Sequence, residues 1–182
     1  HADWALEKRA IDINVLGCAN MLNAAYLYFL KKGGGRIAGV SSIGAVRGNG
    51  RCPAYNASKA FISNYMEGLR QAARLAGAGI AVTDVLPGYI ISANPGPNRT
   101  EKTFLSMTEE AAARNIFKAI LKKRRSVYVP SYWRFFALLY RLVPDLLHEK
   151  MAGCHYRLLR PFIKFSSGKF ASASFLWILF SR

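Results

Sequence analysis

Apolar and polar positions follow helical spacing in three long blocks of the chain. The first covers residues 3–32, with Asp3 suited to the N-cap and two lysines suited to the C-terminal end. The second covers residues 53–76 and has a proline in its first turn. The third covers residues 108–125; it begins with a threonine and two acids and ends in four cations. The pattern therefore predicts three helices.

Short apolar runs between and after these blocks predict three buried strands, at residues 36–42, 79–88 and 126–130. The stretches at 43–52 and 89–107 are rich in glycine or proline and predict loops. Strands that alternate with helices indicate an α/β fold, here part of a Rossmann-like, doubly wound parallel sheet with right-handed crossovers. Ligands in such folds bind beyond the carboxyl ends of the strands.

Charge divides the chain into two parts. The 182 residues are 52% apolar and 13% aromatic, which indicates a globular protein, and the net charge is +16. Residues 1–113 contribute +4 of this charge and residues 114–182 contribute +12. We therefore predict an α/β domain at 1–130 and a basic, aromatic, helical tail at 131–182.

The tail has three interpretations. It packs over the substrate pocket or a dimer partner, or it lies as an amphipathic segment on an anionic membrane surface. A nucleic-acid-binding arm is the least favoured, because no binding motif accompanies the charge. The last apolar run, residues 170–180, is too short to span a bilayer.

Cysteines and histidines do not indicate a metal site or a disulfide framework. Three of each are present, widely spaced and without ligand spacing. We expect the cysteines to be small buried hydrophobes in a reducing compartment. This favours a cytoplasmic location, with peripheral attachment to a membrane left open. The residues are Cys18, Cys52, Cys154, His1, His148 and His155.

The stretch "RCPAYNASKAF" places Tyr55 and Lys59 four residues apart at the start of the second helix, and therefore on one helical face. A nearby ammonium favours the phenolate and lowers the pKa of a tyrosine, which can then exchange a proton with a carbonyl or alcohol oxygen. The same spacing joins Tyr28 and Lys32. Only the first pair has a serine, Ser42, at a strand end thirteen residues earlier. We therefore expect Tyr28 and Lys32 to be structural.

Four motifs resemble, in order and separation, those of the short-chain dehydrogenase/reductase family. They are "INVLG" (13–17), "GRIAGVSSIG" (35–44), "YNASK" (55–59) and "LPGYIIS" (86–92), and the resemblance covers about residues 1–130. It implies a catalytic tetrad of Asn14, Ser42, Tyr55 and Lys59. The implied activity is NAD(P)-dependent interconversion of a ketone or aldehyde and an alcohol.

The resemblance also implies a role for each residue. Tyr55 is the general acid or base, and Lys59 lowers its pKa and binds the nicotinamide ribose. Ser42 holds the substrate oxygen, and Asn14 helps to hold the water of a proton relay to Lys59. The nicotinamide end of NAD or NADP is contacted by Pro87, Gly88, Ile90 and Ser92, where Ser92 replaces the family's usual threonine. Weaker candidates for lining the pocket are Arg47, Asn49 and Cys52.

The Gly-rich phosphate turn of the family is not found before Asn14 in the sequence, and "GGG" at 33–35 lies too late to replace it. We therefore expect the chain to be the carboxyl-terminal half of such an enzyme, or a truncated gene product. We expect it to have an unpaired strand edge at residues 36–42. A non-catalytic remnant that acts as a basic membrane-surface or interaction module is the alternative. The resemblance further implies a homo-oligomer formed through the helices at 4–30 and 54–76.

Overall fold

A computed structural model of the protein describes residues 3–50, 52–91, 105–150 and, for the backbone, 178–180. Its main sheet has four strands in the order β5-β2-β1-β6. Strands β1, β2 and β5 are parallel to one another, as the sequence predicts, and β6 pairs with β1 in the antiparallel direction. The strands are β1 (Gly35–Val40), β2 (Ile80–Pro87), β5 (Ser126–Val129) and β6 (Ile178–Phe180).

The first predicted helix contains a change of helix type. It is composed of α1 (Trp4–Ile11), a π-helical segment (Asp12–Gly17) and α2 (Cys18–Lys31). Short π segments occur frequently at functional sites, and this one contains Asn14. By length and composition the helix from Trp4 to Lys31 could cross a membrane, but core helices of soluble proteins meet the same criteria.

Two further helices begin within one residue of their predicted starts; the first ends one residue early and the second four residues early, before its four cations. One is α3 (Pro53–Leu75), which has proline in its first turn. The other is α4 (Glu109–Leu121), where the Thr108 side chain accepts a hydrogen bond from the amide of Ala111.

Helices cover both faces of the sheet, which is the doubly wound arrangement. Successive residues of β1 point to opposite faces, so Ile37 enters one core cluster and Ala38 the other. The first cluster packs α2 and α3 on the sheet around Phe29, Ile62 and Met66. The second packs α4 on the other face through Ala112, Ile116 and Ile120.

The sheet edge at β1 differs from the prediction. Residues 36–42 were expected to leave an unpaired edge, but Arg36–Ala38 pair with Ile178–Phe180. An apolar strand with free amides and carbonyls is a ready template for another strand. The end of the basic tail supplies that strand here.

The region predicted as a loop at 89–107 begins and ends with short strands. These are β3 (Tyr89–Ile91) and β4 (Ser106–Thr108), which pair in parallel, and residues 92–104 lie outside the described part. They form a second, two-stranded sheet next to the carboxyl end of β2. Turn-forming residues between the two strands dominate the local sequence pattern, which explains why the strands were not predicted.

The described tail is mostly helical up to residue 150, but residues 178–180 form β6 and so depart from the predicted helical tail. Helix α5 (Trp133–Leu142) begins soon after β5, and residues 145–150 are also helical. Helix α5 packs Trp133, Ala137 and Tyr140 inwards. Apart from β6, the remainder of the tail lies outside the described residues. The boundary at residue 130 therefore stays a prediction.

Candidate active site

The carboxyl ends of β1 and β2 form the edge of the sheet at which the predicted residues meet. Ser42 follows the end of β1 and caps a 3₁₀ turn (Ile43–Val46), where its Oγ accepts a hydrogen bond from the Gly44 amide at 3.1 Å. Tyr55 lies in the first turn of α3, which begins at Pro53. The 3₁₀ turn packs on α3 and so brings the two hydroxyl groups together.

Tyr55 is mostly buried, and this determines the acidity of its hydroxyl. Burial raises the pKa of Tyr55, which is the largest effect. A hydrogen bond with the Ser42 side chain lowers this pKa, and the nearby Cys52 raises it further. The lowering of this pKa by Lys59, which the sequence predicted, is not the net effect in the structure. The phenol is therefore a proton donor at neutral pH.

Lys59 is 3% exposed, which is rare for a lysine. Its Nζ donates a hydrogen bond to the carbonyl oxygen of Val40 at 3.2 Å and lies 5.8 Å from the centre of the Tyr55 ring. Burial lowers the pKa of Lys59, whereas the proximity of Cys18 and of Asp84 raises it. The ammonium group is thus held beneath Tyr55, on the same helical face, as the spacing predicts.

Asn14 reaches the same helix from the π-helical segment. Its Nδ2 donates to the Oγ of Ser58 at 3.0 Å, and Ser58 Oγ donates to the carbonyl oxygen of Tyr55 at 2.7 Å. The Asn14 amide therefore fixes the turn of α3 between Tyr55 and Lys59. Ser58 was not among the predicted site residues, although it lies within the "YNASK" motif.

The Pro87-Gly88 turn ends β2, and its contacts differ from those expected. The Gly88 amide donates to the carbonyl oxygen of Val129 at 2.9 Å. A Cβ atom on Gly88 would lie only 2.1 Å from the indole Nε1 of Trp133. The glycine therefore admits the first residue of α5. The proposed contact of this turn with a nicotinamide stays a prediction.

The remaining predicted contacts lie beside this turn. Ile90 is in β3, opposite Met107 of β4, and packs on the second core cluster. Ser92 lies outside the described residues.

Arg47 connects the loop after Ser42 to the tail. Its guanidinium donates to the carbonyl oxygens of Tyr140 and Val143 and forms an ion pair with Asp145. It also lies 5.9 Å from the centre of the Tyr140 ring. Arg47 thus links the 3₁₀ turn after Ser42 to α5 and to the start of the next helix. The role of the tail as a cover of the pocket stays a prediction.

Two other candidates for lining the pocket lie on the same loop. Cys52 Sγ donates to the Oδ1 of Asn56 at 3.3 Å, and Asn56 Nδ2 donates to the carbonyl oxygen of Arg47 at 3.0 Å. Asn49 accepts a hydrogen bond on its backbone oxygen from the Cys52 amide. These bonds shape the loop, and they give Cys52 and Asn56 a structural role beside the crevice.

The residues present fit one end of a dinucleotide. A buried ammonium next to a hydroxyl pair at the carboxyl ends of parallel strands suits a ribose and a reacting carbonyl. A pyrophosphate needs a Gly-rich turn at a helix N-terminus. The residues at the ends of β1 and β2 suit the nicotinamide end of such a cofactor, whereas the pyrophosphate would be bound elsewhere.

Comparison with known proteins identifies the family. The sequence model of the short chain dehydrogenase family matches residues 2–103, more than half of the chain. The chain belongs to the short-chain dehydrogenase family. The match includes the first three motifs and the Pro-Gly turn, and it ends before the basic tail.

Relatives of this short-chain dehydrogenase have oxidoreductase names. An uncharacterized oxidoreductase from Myxococcus xanthus is 38% identical over 108 residues, which are 59% of this chain and 42% of that protein. Sulfoacetaldehyde reductase 2 from Chromohalobacter salexigens is 37% identical over 90 residues, 48% of this chain and 33% of that protein. The matches thus span less than half of the length of these relatives.

Solved structures agree with the fold. A short chain dehydrogenase from Burkholderia cenocepacia in complex with NADP has a TM-score of 0.62 and 25% identity. The alignment covers 86% of this chain and 60% of that one. The partial Rossmann-type sheet predicted from the sequence is therefore confirmed.

Proposed function

We propose that the crevice at the ends of β1 and β2 interconverts a ketone or aldehyde and an alcohol, with Tyr55 as the proton-transferring group. One observation carries the proposal: the side chains of Ser42 and Tyr55 are hydrogen-bonded to each other, and the Tyr55 ring lies 5.8 Å from the Nζ of the buried Lys59. Two adjacent hydroxyls can bind a single carbonyl oxygen, and one of them can protonate it.

Each residue then has a defined task. Ser42 orients the substrate oxygen, Tyr55 gives or takes the proton, and Lys59 stabilises the phenolate form of Tyr55 by its charge. Asn14 holds the turn of α3 through Ser58. Bound NADH or NADPH would supply the hydride.

The nicotinamide end of that cofactor is assigned to the residues after β2. These are Pro87, Gly88, Ile90 and Ser92, together with Tyr55 and Lys59 for the ribose. Because Trp133 occupies one side of Gly88, the nicotinamide would contact another side of the Pro87-Gly88 turn.

The raised pKa of Tyr55 keeps its phenol protonated at neutral pH. A protonated phenol is a general acid, which is the form of Tyr55 that reduction of a carbonyl requires. Oxidation of an alcohol needs the phenolate, so its rate should rise as the pH approaches the pKa of Tyr55. The name of the Chromohalobacter relative, an aldehyde reductase, supports the same class of reaction.

The whole protein is proposed to act in the cytoplasm as a homo-oligomer with NAD or NADP as cofactor. Helices α2 and α3, which pack on one face of the sheet, also expose apolar side chains that a second subunit could cover. Those on α2 and α3 are Met21, Leu27, Tyr28, Leu30 and Leu75.

Substitution of Tyr55 tests the proposal. In the intact protein, Tyr55→Phe keeps the ring but removes the proton, so carbonyl reduction should fall by about 10²–10⁴-fold with the fold retained. Tyr28→Phe is the matched control, because Tyr28 has the same spacing to a lysine but is half exposed on α2. Equal activity of wild type and Tyr55→Phe would refute the assignment.

A second candidate function rests on the outer face of α5. Side chains at positions i, i+3, i+4 and i+7 are apolar and exposed there, opposite the packed face. The +12 charge of residues 114–182 suits an anionic membrane surface. The tail would then attach the protein peripherally to a membrane. The exposed residues are Phe135, Leu138, Leu139 and Leu142.

Sedimentation with vesicles tests this second role. The protein should bind phosphatidylserine-containing vesicles and dissociate as salt screens the charges. Replacing both Leu138 and Leu142 with glutamate should abolish binding, whereas Leu75→Glu, on an exposed residue of α3, should not. Binding that is equal for neutral and anionic lipid, or that persists in the double variant, would contradict it.

A further inference from the structure

Asp84 is a carboxylate buried in an inner strand of the sheet. It is 4% exposed and lies in β2 between Gly39 of β1 and Ser126 of β5. A buried acid is costly unless hydrogen bonds or opposite charges compensate for its loss of hydration. The proposed reaction does not use Asp84 directly. Its partners therefore indicate what it does.

Both carboxylate oxygens accept hydrogen bonds from serine side chains next to the proposed catalytic residues. Ser41 Oγ donates to Oδ1 at 2.6 Å, and Ser63 Oγ donates to Oδ2 at 2.7 Å. Ser41 directly precedes Ser42 at the end of β1, and Ser63 lies one helical turn after Lys59 on α3. Asp84 thus connects the strand end that carries Ser42 to the helix face that carries Lys59.

The charges around Lys59 come from three elements. Burial lowers the pKa of Lys59; Cys18 of α2 and Asp84 of β2 raise it, and the Tyr55 ring lies on its own helix. The thiol of Cys18 has its pKa raised to about 12, mainly by burial, so it carries no charge at neutral pH. Among these groups, Asp84 is the one that can be an anion at that pH.

The charges around Asp84 are consistent with this. Burial raises the pKa of Asp84, while hydrogen bonds from Ser41 and Ser63 and the charges of Arg70 and Lys59 lower it. Arg70 is on α3, and its guanidinium donates to the carbonyl oxygen of Arg125 at 2.9 Å. The carboxylate therefore has two cations and two hydroxyl donors around it.

We propose that Asp84 is a positioning residue of this active site, whose buried carboxylate holds the end of β1 against α3 through Ser41 and Ser63 and is the counter-charge of the buried Lys59. The link to catalysis rests on the proposed function, since Lys59 acts by stabilising the Tyr55 phenolate. The hydrogen bonds of Asp84 do not depend on which substrate is used.

The direct test is the titration of Lys59 in the intact protein, measured by NMR of ¹³C-labelled lysine side chains and assigned with Lys59→Arg. Wild-type Lys59 should be protonated at pH 7. Asp84→Asn keeps the side-chain volume but removes the charge and turns one accepting oxygen into an N–H donor, so the pKa of Lys59 should fall by about one unit or more. Ser63→Ala removes one hydrogen bond to the carboxylate but leaves its charge in place, so it should move the pKa of Lys59 by less than Asp84→Asn does.

A second readout uses catalysis. In Asp84→Asn the pH at which alcohol oxidation is half-maximal should move upwards, because a less charged Lys59 stabilises the phenolate less. Ser63→Ala should move the profile by less than Asp84→Asn does, and Asp84→Glu, which keeps the negative charge, should lie closer to the wild-type profile.

If Lys59 titrates in Asp84→Asn as it does in the wild type, the inference is overturned. If Asp84→Asn does not fold, a Lys59 that is neutral at pH 7 in the wild type would overturn it. The NMR titration needs no activity. Failure of the proposed function would instead appear as absent turnover in a protein whose Lys59 still responds to Asp84.

Discussion

The contact between Gly88 and Trp133 predicts a measurable coupling between the Pro-Gly turn and the tail. In Gly88→Ala the new methyl group would lie 2.1–2.6 Å from three atoms of the indole ring. The indole ring cannot move away freely, because two contacts hold it. Its Nε1 donates to the carbonyl oxygen of Leu105 at 3.3 Å, and the ring makes a T-shaped contact with the ring of Tyr89.

The size of the effect follows from this packing. Overpacking by one methyl group at a rigid contact costs about 1–3 kcal/mol, so Gly88→Ala should lower the free energy of unfolding by this amount. Trp133→Ala removes all three clashing atoms. In that background Gly88→Ala should be close to neutral, and the coupling energy of the pair should be about 1–3 kcal/mol.

Urea unfolding of wild type, both single variants and the double variant of the intact protein measures this coupling. Equal costs of Gly88→Ala with and without Trp133 would refute the packing of α5 on the turn. Ala137→Gly, elsewhere on the buried face of α5, is the control, because it should add to Gly88→Ala without coupling.

Three further predictions concern the core and the cofactor. Phe29→Ala should lower the free energy of unfolding by about 3–5 kcal/mol, since Phe29 is 1% exposed, whereas Tyr28→Phe should change it by less than about 0.5 kcal/mol. Urea unfolding compares the two variants, and equal effects would contradict the fold. Cys18 should resist iodoacetamide at pH 8 in the folded protein, because its pKa of about 12 keeps the thiol protonated. Mass spectrometry should find Cys18 alkylated only after unfolding, and rapid labelling of the native protein would contradict its burial. The 182-residue chain by itself should bind NADH and NADPH weakly or not at all, because no Gly-rich phosphate-binding turn lies before Asn14 in it. Calorimetric titration measures the affinity, and a micromolar dissociation constant would contradict the prediction.

The sequence predicts the framework of this fold because each element has a strong local signal. Thr108 followed by acids marks the start of α4, and Pro53 marks the start of α3. The order of strands and helices then gives the parallel sheet, and the sheet brings Ser42 and Tyr55 to one edge. These steps need only periodicity, caps and the handedness of crossovers.

Long-range contacts were not predictable in this way. The aspartate at position 84 has no local feature that distinguishes it from a solvent-exposed acid, and its role depends on Ser41 and Ser63, more than 20 residues away in sequence. The pairing of Ile178 to Phe180 with β1 likewise joins segments that are far apart in sequence. Trp133 meets Gly88 only because α5 packs beside β5 and the 3₁₀ turn. A single sequence does not encode such partners in its periodicity.

Isotope transfer measures the central claim most directly. Wild-type intact protein, supplied with NADH or NADPH deuterated at C4 and a panel of ketones and aldehydes, should yield an alcohol that carries one deuterium on the former carbonyl carbon. The deuterated product should form about 10²–10⁴-fold more slowly in Tyr55→Phe and at the wild-type rate in Tyr28→Phe. An alcohol without deuterium, or equal rates of deuterium transfer in wild type and Tyr55→Phe, would contradict hydride transfer assisted by Tyr55.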